Sequence, residues 1–469
     1  MENFKRISLD DINTIAKPGK KILFANVPAD GHYNPLTSLA VHLKNIGCDV
    51  RWFGSKQYAE KTSNLGIQYY PFTKARELYP DTFDQDFPER AKMKSAVAKL
   101  KFDIINFFIM TGPEYYADIK DIYETFEFDL MICDVAFSAI PFVKEQLGIP
   151  VISVSVFPLS ETSKDLAPYG FAMHPAKTFF GKRKHAFLRF LADKVLFREP
   201  NKVMIKVLGE YGIQPAGNVF NTLVSKSTLV LQSGSPGFEY RRSDLGKNIR
   251  FIGALLPYRK KGKQTPWYDK RLEQYRRVVL VTQGTVEKDI NKLLVPTLEA
   301  FQNSNVLVIA TTGGSGTAEL RTKFPQDNFI IEDFISFHDV MPYCNVYITN
   351  GGYGGVMLSI ENNLPMVVAG VHEGKNEINA RVGYFELGVN LRTEFPTAKQ
   401  IRSGVEMVFE DNQYRKNVIK LRQEMAAYNP QQLCEQYVNE VLNERPVRVT
   451  SSLYTSFPIR RQALPQESY

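Results

Sequence analysis

Cysteine is scarce in this chain of 469 residues: Cys48, Cys133, Cys344 and Cys434 stand alone, and none belongs to a C-x-x-C pair. That excludes a disulfide framework and a zinc site of the paired-cysteine type. Long apolar runs are missing too. No uninterrupted stretch reaches the roughly 20 residues of a membrane-spanning helix. The opening segment MENFKRISLDDINTIAKPGKK also lacks the apolar core of a secretory leader, so the expectation is a cytoplasmic protein. No low-complexity tract suggests extended disorder. Charge is only mildly one-sided, with 58 Lys and Arg against 50 Asp and Glu and a net charge of +8. The basic residues are scattered and no recognisable nucleic-acid module accompanies them, so no nucleic-acid partner is expected.

One segment is a local exception. In FFGKRKHAFLRFLADKVLF (179–197), Phe179, Phe180, Phe187, Phe190, Leu191, Val195 and Leu196 alternate with Lys182, Arg183, Lys184 and Arg189. Its first reading is a helix packing on its own domain; the other is a basic amphipathic surface for membrane contact or for a greasy ligand.

What is present is an ordinary globular composition, 44% hydrophobic and 23% charged, in a chain too long for one core. Short β-type apolar runs alternate with helical stretches, the pattern of parallel sheets built from β-α-β units. It occurs twice. The first half has KILFANV (21–27), a helix PLTSLAVHLKNIG (35–47), DVRWFGS (49–55), DLMICDV (129–135) and PVISVSV (150–156). The second has RVVLVTQGT (277–285), NVLVIATTG (305–313), FIIEDFI (329–335), VYITN (346–350) and PMVVAG (365–370). The charged segment LLPYRKKGKQTPWYDK (255–270), with Pro257, Gly262 and Pro266, reads as the linker between them. The expected fold is α/β, with two Rossmann-like domains facing across a cleft. Their bounds are 1–255 and 271–429, joined by a linker at 256–270 and followed by a return helix and mobile tail over 430–469.

Open α/β sheets bind ligands at the carboxyl ends of their strands. In the second half those ends are TQGT (282–285), Thr311 to Gly314, Asp333 to Ile335 and the turn in VYITNGGYGGV (346–356). Glycines at a strand end let a backbone approach its ligand closely, and the N–H groups of a following helix suit a phosphate. In the first half the matching loop is NVPADGHYNPL (26–36), with His32 just ahead of Pro35, a residue that can start a helix. A lone His is often structural, but this one stands at a strand-to-helix junction facing the expected cleft.

GHYNPLTSLAVHLKNIGCDV, FIGALLP, VTQGT and YITNGGYGGVMLSIENNLPMVVAG with NEINAR further on are, in order and spacing, similar to a known family. From about Lys21 to about Asn429 the chain resembles the UDP-sugar-dependent glycosyltransferases of GT-B fold, in their bacterial macrolide-glycosyltransferase-like branch. The resemblance implies an inverting, metal-independent transfer of a sugar to an acceptor hydroxyl, with the UDP-sugar a substrate and no separate cofactor. The N-terminal domain would take the acceptor and the C-terminal domain the nucleotide.

Under the resemblance His32 is the catalytic base and Asp134, at the end of LMICD, its acidic partner. The chemistry agrees: an alcohol is a poor nucleophile, so a neutral imidazole takes its proton while a carboxylate fixes the tautomer and stabilises the imidazolium. Asp134 capping the next turn is the other reading. Asn350 stands where the family has a His that contacts the diphosphate, and Gly352, Gly354 and Gly355 with Gly284 and Thr285 would hold that group. Glycines serving only tight strand–helix packing are the alternative.

Phe334 takes the place of the Trp that stacks on uracil, with Ile335 offering backbone to the base edge. The ribose-binding acid is replaced by Leu358, with Glu361 one turn on, and the Asp-Gln pair that grips the sugar by Lys375 and Asn376, preceded by Glu373. Glucose is the default sugar, an anionic or deoxy sugar is open, and so is UDP against dTDP.

Residues 77–95, 107–116 and 157–180, rich in Phe, Tyr and Met, would line the acceptor site and suit a lipophilic alcohol such as a flavonoid, macrolide or other polyketide or terpenoid. The same residues equally describe a domain core. A monomer or homodimer is expected. Two other classes stay in view: a non-catalytic sugar-nucleotide sensor, and a dinucleotide-dependent oxidoreductase, weakened because NVPADGH lacks G-x-G-x-x-G.

Overall fold

The computed structural model describes residues 19–79, 82–259, 266–284 and 287–443. Thr285, part of the linker and the tail expected to be mobile lie outside them. Two sheets, parallel throughout, organise the chain. The first holds β1 (Lys21–Ala25), β2 (Asp49–Gly54), β3 (Gln68–Pro71), β4 (Leu130–Asp134), β5 (Val151–Ser155), β6 (Leu229–Gln232) and β7 (Ile249–Phe251), in the order β3-β2-β1-β4-β5-β6-β7. The second holds β8 (Arg277–Thr282), β9 (Val306–Thr311), β10 (Phe329–Glu332), β11 (Val346–Thr349), β12 (Met366–Val368) and β13 (Gly388–Asn390), in the order β10-β9-β8-β11-β12-β13.

Both sheets are covered on both faces, which is why their strands read as continuous apolar runs. In β1, Ile22 and Phe24 enter one core while Leu23 and Ala25 enter the other. In β8, Val278 and Leu280 separate from Val279 and Val281 in the same way. The strand order reverses between β1 and β4 and again between β8 and β11, and a crevice for a ligand opens at each such point.

The helix Pro430–Asn443 returns to the first sheet, as expected. Its Cys434, Tyr437 and Val438 join the core of Leu36 and Leu39, and Glu435 Oε2 meets His42 Nε2 at 2.9 Å. Among the described residues no helix is long and apolar enough to cross a membrane.

Two local expectations need correction. The first helix runs Asp30–Asn45, so Pro35 lies inside it rather than at its start. Proline forfeits only the bond to the carbonyl four residues back, here that of exposed Gly31, which water can serve. His32 therefore belongs to the first helical turn. The helix Phe179–Leu191 does form, but it does not bury its aromatic face: Phe180 is 82% exposed, and Phe179, Phe187 and Phe190 are also exposed. Its one buried residue is His185. Strands β3, β6, β7 and β13, each three or four residues long, are absent from the expected set.

Candidate active site

The end of β4 and the loop after β1 are neighbours because Ala25 pairs with Cys133 across the switch point. That register sets Asp134 beside the first turn of the helix Asp30–Asn45. Its Oδ1 lies 3.0 Å from His32 Nδ1, while Oδ2 accepts from Val27 N at 2.8 Å and Oδ1 also from Ala136 N at 2.9 Å. Asp134 is fully buried and the His32 side chain is 23% exposed. The carboxylate thus caps the surrounding loops and at the same time stands within hydrogen-bond distance of the imidazole. His32 Nε2 has no protein partner among the described residues, and a tautomer with its proton on Nδ1, toward Asp134, would leave Nε2 as the accepting nitrogen.

In the second sheet the expected loops do converge, but several side chains there are occupied. Asn350 Nδ2 donates to Gln283 O at 2.5 Å, lacing the loop after β11 to the loop after β8. A Cβ at Gly351, whose φ is +89°, would run into Asn379 Oδ1, so only glycine fits that turn. Gly352 is the N-cap of the helix Tyr353–Glu361, which has no side-chain cap and no acid in its first turn. Gly354 faces open space there, as Gly284 does in the neighbouring loop. The N–H groups of Gly352 and Gly354 and the positive end of that helix are of the kind that suits an anion, whereas Gly284 N donates to Thr282 Oγ1 at 3.1 Å. Gly355 differs: a Cβ there would stand 3.0 Å from Tyr347 Oη, so its smallness serves packing.

Phe334 presents an open ring, 69% exposed, beside Gly314. The Ile335 side chain turns inward to the core, as does Leu358 in part, so no acid stands at the ribose position; Glu361 Oε1 faces Arg422 at 3.5 Å instead. Glu373, at φ +55°, pairs with Lys375 Nζ at 2.5 Å. The resemblance placed Asn376 on the sugar, whereas here its Nδ2 donates to Gly170 O at 2.6 Å across the cleft.

The residues that sequence reasoning missed lie immediately next. Glu377 Oε1 accepts from Gly170 N and Ala172 N, each at 2.8 Å, and its Oε2 meets Arg381 Nη1 at 3.0 Å. Arg381 Nη2 reaches Glu239 Oε2 at 2.9 Å, and Glu239 Oε1 accepts from Leu159 N at 2.9 Å. All three side chains are buried. Burial alone would lower the Arg381 pKa, but Glu239 and Glu377 outweigh it and hold it above its usual value. This bridge seats the segment 168–174 of the first half on the helix Lys375–Tyr384 of the second. The one available signal was the i, i+4 spacing of Glu377 and Arg381 within NEINAR. A cavity of about 360 Å³ opens alongside, lined by Met173, His174, Gly370, Asn376, Ala380 and Arg392. Burial first, and then the nearby Arg392 charge, hold His174 below the usual imidazole range.

Comparisons with known proteins agree with this architecture. The C-terminal domain model of erythromycin biosynthesis protein CIII-like proteins matches residues 297–440. The 4'-demethylrebeccamycin synthase of Lentzea aerocolonigenes is 31% identical over 412 residues, covering 87% of this chain and 96% of that protein. UDP-glucosyltransferase 1 of Beauveria bassiana is 28% identical over 435 residues, covering 88% and 93%. Among solved structures, the kitacinnamycin glycotransferase superposes with a TM-score of 0.72 at 17% identity, covering 91% of this chain and 100% of that one. The calicheamicin glycosyltransferase CalG4 gives 0.68 at 18%, covering 92% and 99%. Two parallel sheets with facing switch points, matched over nearly their whole length by such relatives, place the chain in the UDP-glycosyltransferase family, in its macrolide-type branch, as a sugar-transferring enzyme of GT-B fold.

Proposed function

We propose that this enzyme moves a sugar, with inversion, from a nucleoside diphosphate sugar to a hydroxyl of a lipophilic natural product, with His32 as general base. The observation that carries the reading is the 3.0 Å contact between His32 Nδ1 and buried Asp134 at the first switch point. His32 Nε2 takes the acceptor proton as the acceptor oxygen bonds to the anomeric carbon. The bond from that carbon to the diphosphate oxygen breaks, and the electron pair leaves with the diphosphate. One displacement on one face inverts the anomeric centre. Asp134 holds the tautomer and stabilises the imidazolium. The charge developing on the departing diphosphate is met by the N–H groups of Gly352, Gly354 and their neighbours.

Phe334 supports stacking of the base. Relatives named as UDP-glucosyltransferases favour a UDP-glucose donor, while structural neighbours solved with thymidine diphosphate keep dTDP-sugars in play. The segment 157–178, seated over the cleft by Glu377, supports acceptor binding at that wall. A natural-product acceptor agrees with the rebeccamycin-type relative.

A thermal-shift panel of UDP, dTDP and NAD, followed by turnover with UDP-glucose and a phenolic acceptor, tests the proposal. Stabilisation by UDP or dTDP with turnover lost in His32→Ala is the expected result. Stabilisation without turnover on any donor would return the protein to the sensor class, and stabilisation by NAD alone would favour a dehydrogenase.

A further inference from the structure

The helix Phe179–Leu191 carries its apolar residues on the wrong side for a protein core. At about 100° per residue, Phe179, Phe180, Phe187 and Phe190 fall within a sector roughly 100° wide. All four rings are exposed. His185, the one buried residue of the helix, projects from the opposite side. Arg183 lies within the aromatic sector, with its guanidinium 5.0 Å from the Phe179 ring centre, and Lys182 and Arg189 flank one edge and Lys184 the other. Residues 179–191 contain no Asp or Glu. Among the described residues none of Lys182, Arg183 and Lys184 forms an ion pair within 4.0 Å, and the one carboxylate that feels any of them is Asp165, which Lys182 helps to hold below the usual range.

A second exposed apolar and basic stretch lies nearby. The helix Ala96–Asp103 exposes Val97 and Leu100 between Lys94, Lys99 and Lys101. Both helices run on into the cluster that contains Ile104, Ile109, Ala192 and Phe197.

From this geometry we infer that the helix Phe179–Leu191 docks on an anionic lipid surface, its phenylalanines entering the headgroup and acyl boundary while Lys182 and Lys184 reach the anionic headgroups. The charge pattern selects this partner. Cations on both sides of an aromatic stripe, with no acid inside it, are complementary to a negatively charged interface, and long Lys and Arg stems let a ring descend while the charge stays wet. A second copy of the chain would instead set these cations against one another. The docking has a consequence for the chemistry. Arg189 Nη1 donates to the carbonyl of Leu166, so the helix is tied to the segment that Glu377 seats over the cleft. An acceptor dissolved in the bilayer would then leave the lipid beside the cleft.

The test is co-sedimentation of the full chain with vesicles of phosphatidylcholine containing about a quarter phosphatidylglycerol, against pure phosphatidylcholine. The expected result is sedimentation with the anionic vesicles only, weakened by salt as screening shortens the reach of the cations. Two double variants should each lower the bound fraction about tenfold or more. They are F187S with F190S, which removes rings remote from the cleft, and K182E with K184E, which changes only exposed charges. Both should keep the parent's urea midpoint and its turnover on a water-soluble acceptor. The inference is overturned if the parent stays in the supernatant with anionic vesicles or if both variants sediment as the parent does. It also fails if sedimentation velocity shows a dimer that the variants dissolve while vesicles have no effect.

Discussion

The two switch points are built by opposite means. At the first, between β1 and β4, side chains do the work: Asp134 is fully buried, two backbone N–H groups and His32 converge on it, and the imidazole keeps one nitrogen free. At the second, between β8 and β11, the prominent polar side chains are held by protein. Asn350 is bound to Gln283, Lys375 to Glu373 and Asn376 to Gly170, and the backbone of the glycine turn is left to face the cleft. The difference follows from the chemistry proposed for each. Moving a proton needs one titratable atom in a fixed tautomer. Holding a diphosphate needs only convergent N–H groups and a helix dipole, which any sequence that keeps the turn supplies. A departure such as Asn350 is therefore tolerable where a departure at His32 is not.

The sharpest way to break this comparison is at the base. His32→Ala is expected to lower turnover by about 10²–10⁴ with UDP affinity unchanged, read from kcat and from calorimetric titration. A variant that keeps most of its rate would remove the first switch point from the chemistry. Asp134→Asn should slow turnover as well and also destabilise the fold. An amide offers one acceptor oxygen where the carboxylate offered two, so Val27 N or Ala136 N loses its partner, at about 1–3 kcal/mol in a urea titration.

Next in size is the bridge between the two halves. Arg381→Met strands Glu377 in the interior and leaves Glu239 with only the more distant Arg242, 4.0 Å away. Removing one partner of such a buried group costs about 3–5 kcal/mol, and the measured midpoint should fall accordingly. Glu377→Gln is the milder probe. It keeps an oxygen for Gly170 N and Ala172 N but weakens the Arg381 pair, so KM for the acceptor should rise more than kcat falls. Equal acceptor kinetics would mean that the seated segment 168–174 has no part in binding.

Much of this architecture was legible before any coordinates. The long strands announced themselves as apolar runs because they are buried on both faces, and the glycine turn and His32 stood at strand ends where parallel sheets bind ligands. What stayed hidden depends on partners distant in sequence. The bond from the Asn376 amide to Gly170 joins residues 206 apart, and the ionic bridge from Arg381 to Glu239 spans 142 residues. Nor can a hydrophobic period say which side of an amphipathic helix is covered. The pattern at Phe179–Leu191 fits a core helix and an interfacial one equally, and only its exposure separates them.

Smaller effects test the donor side. Phe334→Ala should weaken UDP binding by about 1–3 kcal/mol, the range for base–aromatic stacking, measured by calorimetry. An unchanged affinity would place the base elsewhere. Asn350→Leu leaves the Gln283 carbonyl without its donor and loosens the join between the β8 and β11 loops, so UDP binding should weaken by about 1 kcal/mol. Asn350→His restores an N–H that reaches either the carbonyl or a phosphate, and activity should hold or rise.

The smallest expected effect is at Lys375, and the reason lies in its neighbour. A free ammonium beside the sugar would favour a uronate donor over a neutral one, but Glu373 Oε2 lies 2.5 Å from Nζ and cancels most of that charge. Lys375→Gln should therefore shift the ratio of rates between a UDP-uronate and UDP-glucose by only about twofold. Glu373→Gln, which unmasks the ammonium, should move the ratio further and toward the uronate. If Lys375→Gln instead produces the larger shift, the ion pair opens when donor binds, and Lys375 contacts the sugar directly. That result would give the second switch point a working side chain and narrow its contrast with the first.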